Sequence, residues 1–242
     1  MLSIILPCYN EQDNLEFLFN SLDPVAAAHQ DLEIILVNNG STDNSLNVFE
    51  KELAKRNSKI FKVVTVEKNI GYGYGILTGL RAAKGNILSV THADRQTDPI
   101  DVLKALDIFQ KNFQTEAAED ILLVKGFRKN RRPLEAFFSW GMGVLSSMAL
   151  GTRLTEINAQ PKLFSKTFFY SIEKDAPHDF SLDLYLLYHA KKKGQIIDFP
   201  VYFAKRVAGE AKGGSGSSWK VRRKLMKRIF KYIFELRNKV KA

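Results

Sequence analysis

Three short clusters hold most of the residues able to do chemistry. They are Pro7-Cys8-Tyr9-Asn10-Glu11, Asn38-Asn39-Gly40-Ser41-Thr42-Asp43 and Thr91-His92-Ala93-Asp94-Arg95-Gln96-Thr97-Asp98. Carboxylates and amides such as Glu11, Asn38 and Asn39 can bind hydroxyl groups and the edges of heterocycles. Asn38, Asn39 and Asp43 have a second possible role, which is to build a turn and cap the helix that follows. The third cluster sets an imidazole, a carboxylate and an amide at alternate positions, His92, Asp94 and Gln96. A separate cationic group, Arg128, Arg131 and Arg132, offers guanidinium forks suited to phosphate.

These clusters need a frame that brings them to one edge. Leu2–Pro7, Leu32–Val37, Phe61–Val66 and Asn86–Val90 are short apolar runs suited to buried parallel strands. Between them, Glu11–Leu22, Asn44–Arg56 and Gly71–Ala83 read as helices. Alternating strands and helices imply an α/β fold with a mostly parallel central sheet flanked by helices. Ligands of such sheets bind at the carboxyl ends of the strands. The polar residues at 8–11, 38–43 and 91–98 all follow strands, so they are expected to converge on one crevice. The second half is less regular. Ile100–Phe113, Leu134–Leu150 and Asp183–Lys193 read as helices, Ile121–Val124 and Gln195–Phe203 as strands, and Lys125–Arg132 as a basic turn. Residues 208–218, rich in glycine and serine, read as a loop.

The chain has 242 residues, 45% hydrophobic and 26% charged, the balance of a folded α/β domain with its own core. Its single cysteine, Cys8, has no partner for an internal disulfide, which fits a reducing compartment. The first residues lack a basic leader and read as a buried strand rather than a signal peptide. No run reaches the roughly 18 apolar residues of a membrane span. The nearest, 136–150, is broken by Ser139, Gly141, Gly143, Ser146 and Ser147. Net charge is +10, and it is concentrated: ten of the 36 basic residues but one of the 26 acidic residues fall within 220–241. Val221, Leu225, Ile229, Ile233, Leu236 and Val240 recur through that run at helical spacing. Such a helix can lie on an anionic membrane surface or dock on its own domain. Nucleic acid is not an expected partner, because aliphatic side chains rather than stacking aromatics separate the charges. The expected organisation is one domain over 1–212, then a glycine-rich loop and basic amphipathic helix over 213–242.

Four segments carry a resemblance: Leu6–Glu11, Asn38–Asp43, the stretch from Asn69 through Gly85 to Pro99, and Phe203–Lys212 with Arg206, Gly209 and Lys212 at its spaced positions. In that order they resemble family 2 glycosyltransferases, especially the polyprenyl-phosphate, dolichol-phosphate mannosyltransferase-like branch. The resemblance runs from Leu2 to about Lys212. It implies a GT-A (Rossmann-like) nucleotide-diphospho-sugar transferase fold and a nucleotide-diphosphate sugar as donor. It implies Pro7, Tyr9, Glu11, Asn38, Asn39, Asp43 and Gly71 around the nucleotide. It makes Asp94 and Gln96 ligands of a divalent metal, Mn²⁺ or Mg²⁺, in a loop whose first Asp is replaced here by His92. Imidazole suits Mn²⁺ better than Mg²⁺. Arg128, Gln160, Lys162 and Lys212 are implied as acceptor or phosphate contacts, with Gln160 and Lys162 facing the cleft. Asp94, Asp183 and Arg206 are the implied catalytic residues, and 213–218 an implied lid.

The acceptor follows from the base. Asp179 and Asp183 flank the position of an acidic base in inverting members, although Asp183 also opens a helix and can serve as a cap. A hydroxyl acceptor needs such a base, whereas a phosphate is already ionised. The expected function is therefore inverting transfer to a lipid phosphate such as polyprenyl phosphate, or to a glycan or lipid-linked hydroxyl. The expected place is the cytoplasmic face of a membrane, with the chain peripheral. A non-catalytic nucleotide-sugar binder, suggested by His92 in place of Asp, is the reading from another class.

Overall fold

The computed structural model describes residues 1–113, 121–204 and 219–241. The first half alternates β1 (Leu2–Cys8), α1 (Leu15–Ala28), β2 (Leu32–Asn39), α2 (Ser45–Ala54), β3 (Phe61–Val66), α3 (Tyr72–Ala82), β4 (Ile87–Val90) and α4 (Asp101–Asn112). The second half adds β5 (Ile121–Lys129), α5 (Pro133–Leu150), β6 (Lys162–Ser165), α6 (Lys166–Ile172), α7 (Leu182–Lys193), β7 (Gly194–Tyr202) and α8 (Trp219–Lys241). The strands make one sheet in the order β3-β2-β1-β4-β6-β5-β7. β6 runs antiparallel to β4 and β5, and the other pairings are parallel.

β1 illustrates why these residues form a central strand. β2 and β4 pair with its two edges, so its backbone groups are satisfied without water. Side chains alternate across a strand. Ile5 accordingly joins the apolar layer of α3, α6, α7 and α8, while Leu2, Ile4, Leu6 and Cys8 join the layer of α1, α2 and α4. The chain winds outward from β1 to β3 on one side and to β4 on the other, which opens a crevice at the carboxyl ends of β1 and β4. Because β6 is reversed, its first residue, Lys162, reaches that same end, level with Val90 and Lys125.

One expectation is corrected, and one open alternative is narrowed. Residues 125–132 are not all turn, because β5 continues to Lys129 in register with β7, whose pairing carries the polar run along as strand. Lys125 is buried there, 2.8 Å from Asp198. For the last helix, docking on its own domain accounts for the described part of the aliphatic stripe. Ile229, Ile233 and Leu236 are buried in the same core as α3 and α7, and Arg228 pairs with Asp179 at 2.6 Å. Each such side chain gains about 1.5–3 kcal/mol by leaving water. Docking on the domain has claimed these side chains. Among the described residues no helix is long and apolar enough to cross a membrane.

Candidate active site

The loops after β1, β2 and β4 are stitched together by side chains. Asn14 is fully buried and its amide donates to the Ala93 carbonyl at 2.6 Å, tying the first loop to the third. The Asn10 and Glu11 N–H groups donate to the hydroxyls of Ser41 and Ser45, each at 3.1 Å, tying the first to the second. Asn10 and Arg95 hold φ of 54° and 58°, a left-handed conformation that non-glycine residues keep only where their surroundings demand it. Above these loops opens a cleft of about 670 Å³.

Ten of the residues expected at the site line this cleft: Pro7, Tyr9, Glu11, Asn39, Gly71, His92, Asp94, Gln96, Arg128 and Asp183. Gly71 must be glycine, since a Cβ there would lie 2.3 Å from the His178 carbonyl oxygen. Asn39 is buried at the end of β2 and donates to the Gly71 carbonyl at 3.0 Å, so it braces the start of α3. Asn38 and Asp43 are not among the lining residues. The Asn38 side chain accepts from Ser41 N–H at 3.2 Å. Asp43 accepts from the N–H groups of Ser45 at 3.0 Å and Gln12 at 3.2 Å. Burial would raise the Asp43 carboxyl, but these bonds outweigh it and hold it below its ordinary range. Both residues occupy the turn-building role.

Gln160 and Lys162 do not face the cleft, contrary to expectation. Both are fully buried beneath it and converge on Asp183 Oδ1, at 3.1 Å from the Gln160 amide and 2.6 Å from the Lys162 ammonium. The reversed strand explains this: Lys162 sits in mid-sheet, where Asp183 at the start of α7 is its anionic partner. Burial pushes the Lys162 ammonium down, and the Asp183 charge only partly restores it. Asp183 is thus an ion-paired floor of the cleft. Asp179, the other candidate base, is held by Arg228 and accepts from Ser181 N–H at 2.8 Å.

The metal-type residues lie together on one wall. Gln96 N–H donates to Asp94 Oδ1 at 3.1 Å, closing the turn that carries both. Burial holds the His92 imidazole below its ordinary value despite the nearby Asp94 and Asp183, which favours the neutral form able to ligate. Among the described residues no group of three or more His, Cys, Asp or Glu is placed to hold an ion. The cleft is also lined by cations, Arg128 and Arg131. Arg128 and Arg131 share one carboxylate, Glu156, at 2.6 and 3.2 Å. Arg206 and Lys212 lie outside the described residues, as does the loop 208–218. Ala204 just before them donates its N–H to the Gln96 carbonyl at 2.8 Å.

Several lining residues were missed by sequence reasoning. Tyr72 stacks on Phe180 at 4.7 Å between ring centroids and 5° between planes, walling the cleft beside Gly71. The Gly-Tyr-Gly-Tyr-Gly run pointed to a turn, but its partner is more than a hundred residues away. Glu156, which pairs with the lining residues Arg128 and Arg131, carries no local motif. Phe138 and Met142 of α5, with Met226 and Ile229 of α8, complete the apolar side.

A crevice at a strand-order reversal, walled by three polar loops and facing a cationic strand end, is the architecture of GT-A transferases. Glucosyl-3-phosphoglycerate synthase from Mycobacterium tuberculosis, solved with Mn²⁺, UDP-glucose and phosphoglyceric acid, shares this fold. It superposes with a TM-score of 0.68 at 16% identity, over 95% of this chain and 77% of that one. Residues 3–169 match the profile of Glycosyl transferase family 2, and the chain belongs to that family. It is 25% identical over 179 residues to dodecaprenyl-phosphate galacturonate synthase of Rhizobium johnstonii, covering 71% of this chain and 50% of that protein. It is 27% identical over 169 residues to undecaprenyl-phosphate 4-deoxy-4-formamido-L-arabinose transferase of Pseudomonas fluorescens, covering 68% and 47%. The chain thus spans about half the length of these two curated relatives.

Proposed function

We propose that this chain transfers a sugar from a nucleoside-diphosphate donor to the phosphate of a polyprenyl phosphate. One observation carries the choice of acceptor. The two acids expected as a base are both paired with cations, Asp183 with Lys162 and Asp179 with Arg228, each at 2.6 Å. A hydroxyl acceptor would need a free base, and a phosphate does not. Arg128 and Arg131, with one carboxylate between them, favour an anion on the wall they share. The names of the two relatives, both polyprenyl-phosphate sugar transferases, support the same class.

In this reading the loops after β1 and β2 hold the nucleoside, with Glu11 toward the ribose and Tyr9 and Pro7 along the base. An oxygen of the acceptor phosphate attacks the anomeric carbon. The bond from that carbon to the diphosphate breaks, and the nucleoside diphosphate leaves with the electron pair. No proton moves, so no residue has to take one. Arg128 and Arg131 orient the attacking phosphate. Arg206 and Lys212 are proposed for the phosphates on sequence grounds.

The imidazole, carboxylate and amide of His92, Asp94 and Gln96 are a mixed nitrogen and oxygen set of the kind that suits Mn²⁺, and these residues would hold the ion. A bound divalent ion would neutralise charge on the departing diphosphate. A polyprenyl chain resides in a bilayer, so this function belongs at a membrane surface with the protein peripheral to it.

The test is a donor screen. The full chain is incubated with individual nucleotide sugars, Mn²⁺ and a short-chain prenyl phosphate, and products are read by mass spectrometry. A glycosylated prenyl phosphate with stoichiometric nucleoside diphosphate is expected. Donor binding without any turnover would instead make the chain a binding protein.

A further inference from the structure

We propose that α5 and α8 form the membrane-docking face of this protein, with an exposed aromatic stripe of α5 seated at the surface of an anionic bilayer. The inference names the surface through which the proposed function reaches its acceptor, and it rests on that reading for the choice of a bilayer as partner. α5 is 18 residues long and has one charged side chain, Glu135. Gly143, Ser146 and Leu150 pack inward. On the other side, Leu134, Phe137, Trp140, Val144 and Met148 are between 38% and 78% exposed. Their three- and four-residue spacing draws one stripe along the helix. Soluble monomers seldom leave so continuous an apolar stripe in water without a partner for it. The Phe137 ring meets Phe138 at 6.2 Å and Trp140 at 5.9 Å, so the aromatic groups form a cluster. Tryptophan among apolar neighbours suits the boundary between lipid headgroups and acyl chains.

Charge selects the occupant. α8 packs beside α5. Its Ile229, Ile233 and Leu236 are buried, and Arg223, Lys224, Lys227 and Lys231 are exposed. Cations next to an apolar stripe match anionic headgroups. A second copy of the chain would bring the same positive charge to the contact and is the poorer match. The cleft is continuous with this face, since Phe138 and Met142 of α5 and Met226 and Ile229 of α8 line it. A lipid phosphate bound in the cleft therefore has its hydrocarbon chain beside the two helices that meet the bilayer. The sequence pattern left α8 open to lipid or to its own domain; since Ile229, Ile233 and Leu236 dock on the domain, the apolar contact is assigned to α5 and the attraction to α8.

The experiment uses the full chain and phosphatidylcholine vesicles with or without phosphatidylglycerol. Flotation with the anionic vesicles only, lost at high salt, is the expected result. In a Trp219→Phe background, Trp140 is the one remaining tryptophan, and its emission should shift to the blue on binding. The triple variant Phe137→Ser/Trp140→Ser/Met148→Ser should lose at least tenfold in vesicle affinity. Its thermal stability should not fall, because these side chains face water. Its transfer to a water-soluble short-chain prenyl phosphate should be unchanged, because none of the three lines the cleft. Lys224→Glu/Lys227→Glu should weaken binding to anionic vesicles. The proposal is overturned if the wild type ignores both vesicle types, or if the triple variant binds them as the wild type does. It is also overturned if the stripe proves to join two copies, seen as a wild-type dimer that the triple variant dissolves without any vesicle binding. Vesicle binding without sugar transfer to the soluble acceptor would refute the proposed function and leave the docking face standing.

Discussion

Lys162 and Asp183 are two charges almost without access to water, and each is the other's ionic partner. Removing one partner of such a pair strands the other and costs about 3–5 kcal/mol, whereas replacing both with apolar groups is often close to neutral. Asp183→Leu alone should therefore destabilise the protein by that amount, and Lys162→Met/Asp183→Leu by much less. Denaturant unfolding of the two variants measures the difference, and additive losses would contradict the pairing. Asp94 is a different case. It faces the cleft on the wall with His92 and Gln96, and Asp94→Asn should lower kcat at least about a hundredfold, the scale of losing one key electrostatic group. Mn²⁺ should support the wild type at least as well as Mg²⁺. Steady-state rates in each metal decide both points. Residue types singled out Glu11, His92, Asp94 and Arg128, and all four line the cleft. Residue types did not announce partners. Lys162 read as a cleft residue because nothing local shows that its strand runs backwards beneath Asp183.

Elements were legible where their pattern is local. The first four strands and the helices between them follow from apolar runs and helical spacing, and all of them form. β5 was cut short because Lys-Gly-Phe-Arg-Lys looks like a turn, while its conformation is decided by pairing with β7 some seventy residues away. α7 offers a test of how such packing sets acid sensitivity. Burial among the rings of Tyr185 and Tyr188, with Lys193 adding to it, lowers the His189 imidazole to about 4. The unfolded chain takes up that proton near pH 6.5 and the folded one only near its lower value. The unfolded state thus binds more protons between the two, and stability present above pH 6.5 is lost as pH falls toward 4. His189→Gln should remove this part of the acid loss, so the melting temperatures of wild type and variant should converge between pH 7.5 and 4.5. A wild-type curve that keeps the same separation from the variant over that range would contradict it.

At the scale of the molecule, the last helix belongs to the core. Ile233 is fully buried beneath α8, so Ile233→Ala should cost about 2–5 kcal/mol in urea unfolding. Unchanged stability would show that α8 is not docked. The sequence left docking and membrane contact both open for this helix, because an aliphatic stripe has the same spacing whether its partner is lipid or protein. The cleft itself was legible as a convergence of three loops, but the part made by α5 and α8 was not, since those contacts join segments with no shared motif. What the whole assembly offers is a cleft lined by Arg128 and Arg131, proposed to hold the donor, with Asp179 and Asp183 each paired to a cation. The measurement that tests this most directly gives the full chain one nucleotide sugar and either a short-chain prenyl phosphate or the matching prenol. The account expects kcat/KM for the phosphate to exceed that for the alcohol by at least about a thousandfold, which combines a lost phosphate contact with the absence of a base. Equal or better use of the alcohol would contradict it, and would mean that Asp183 or Asp179 leaves its cation to act as a base.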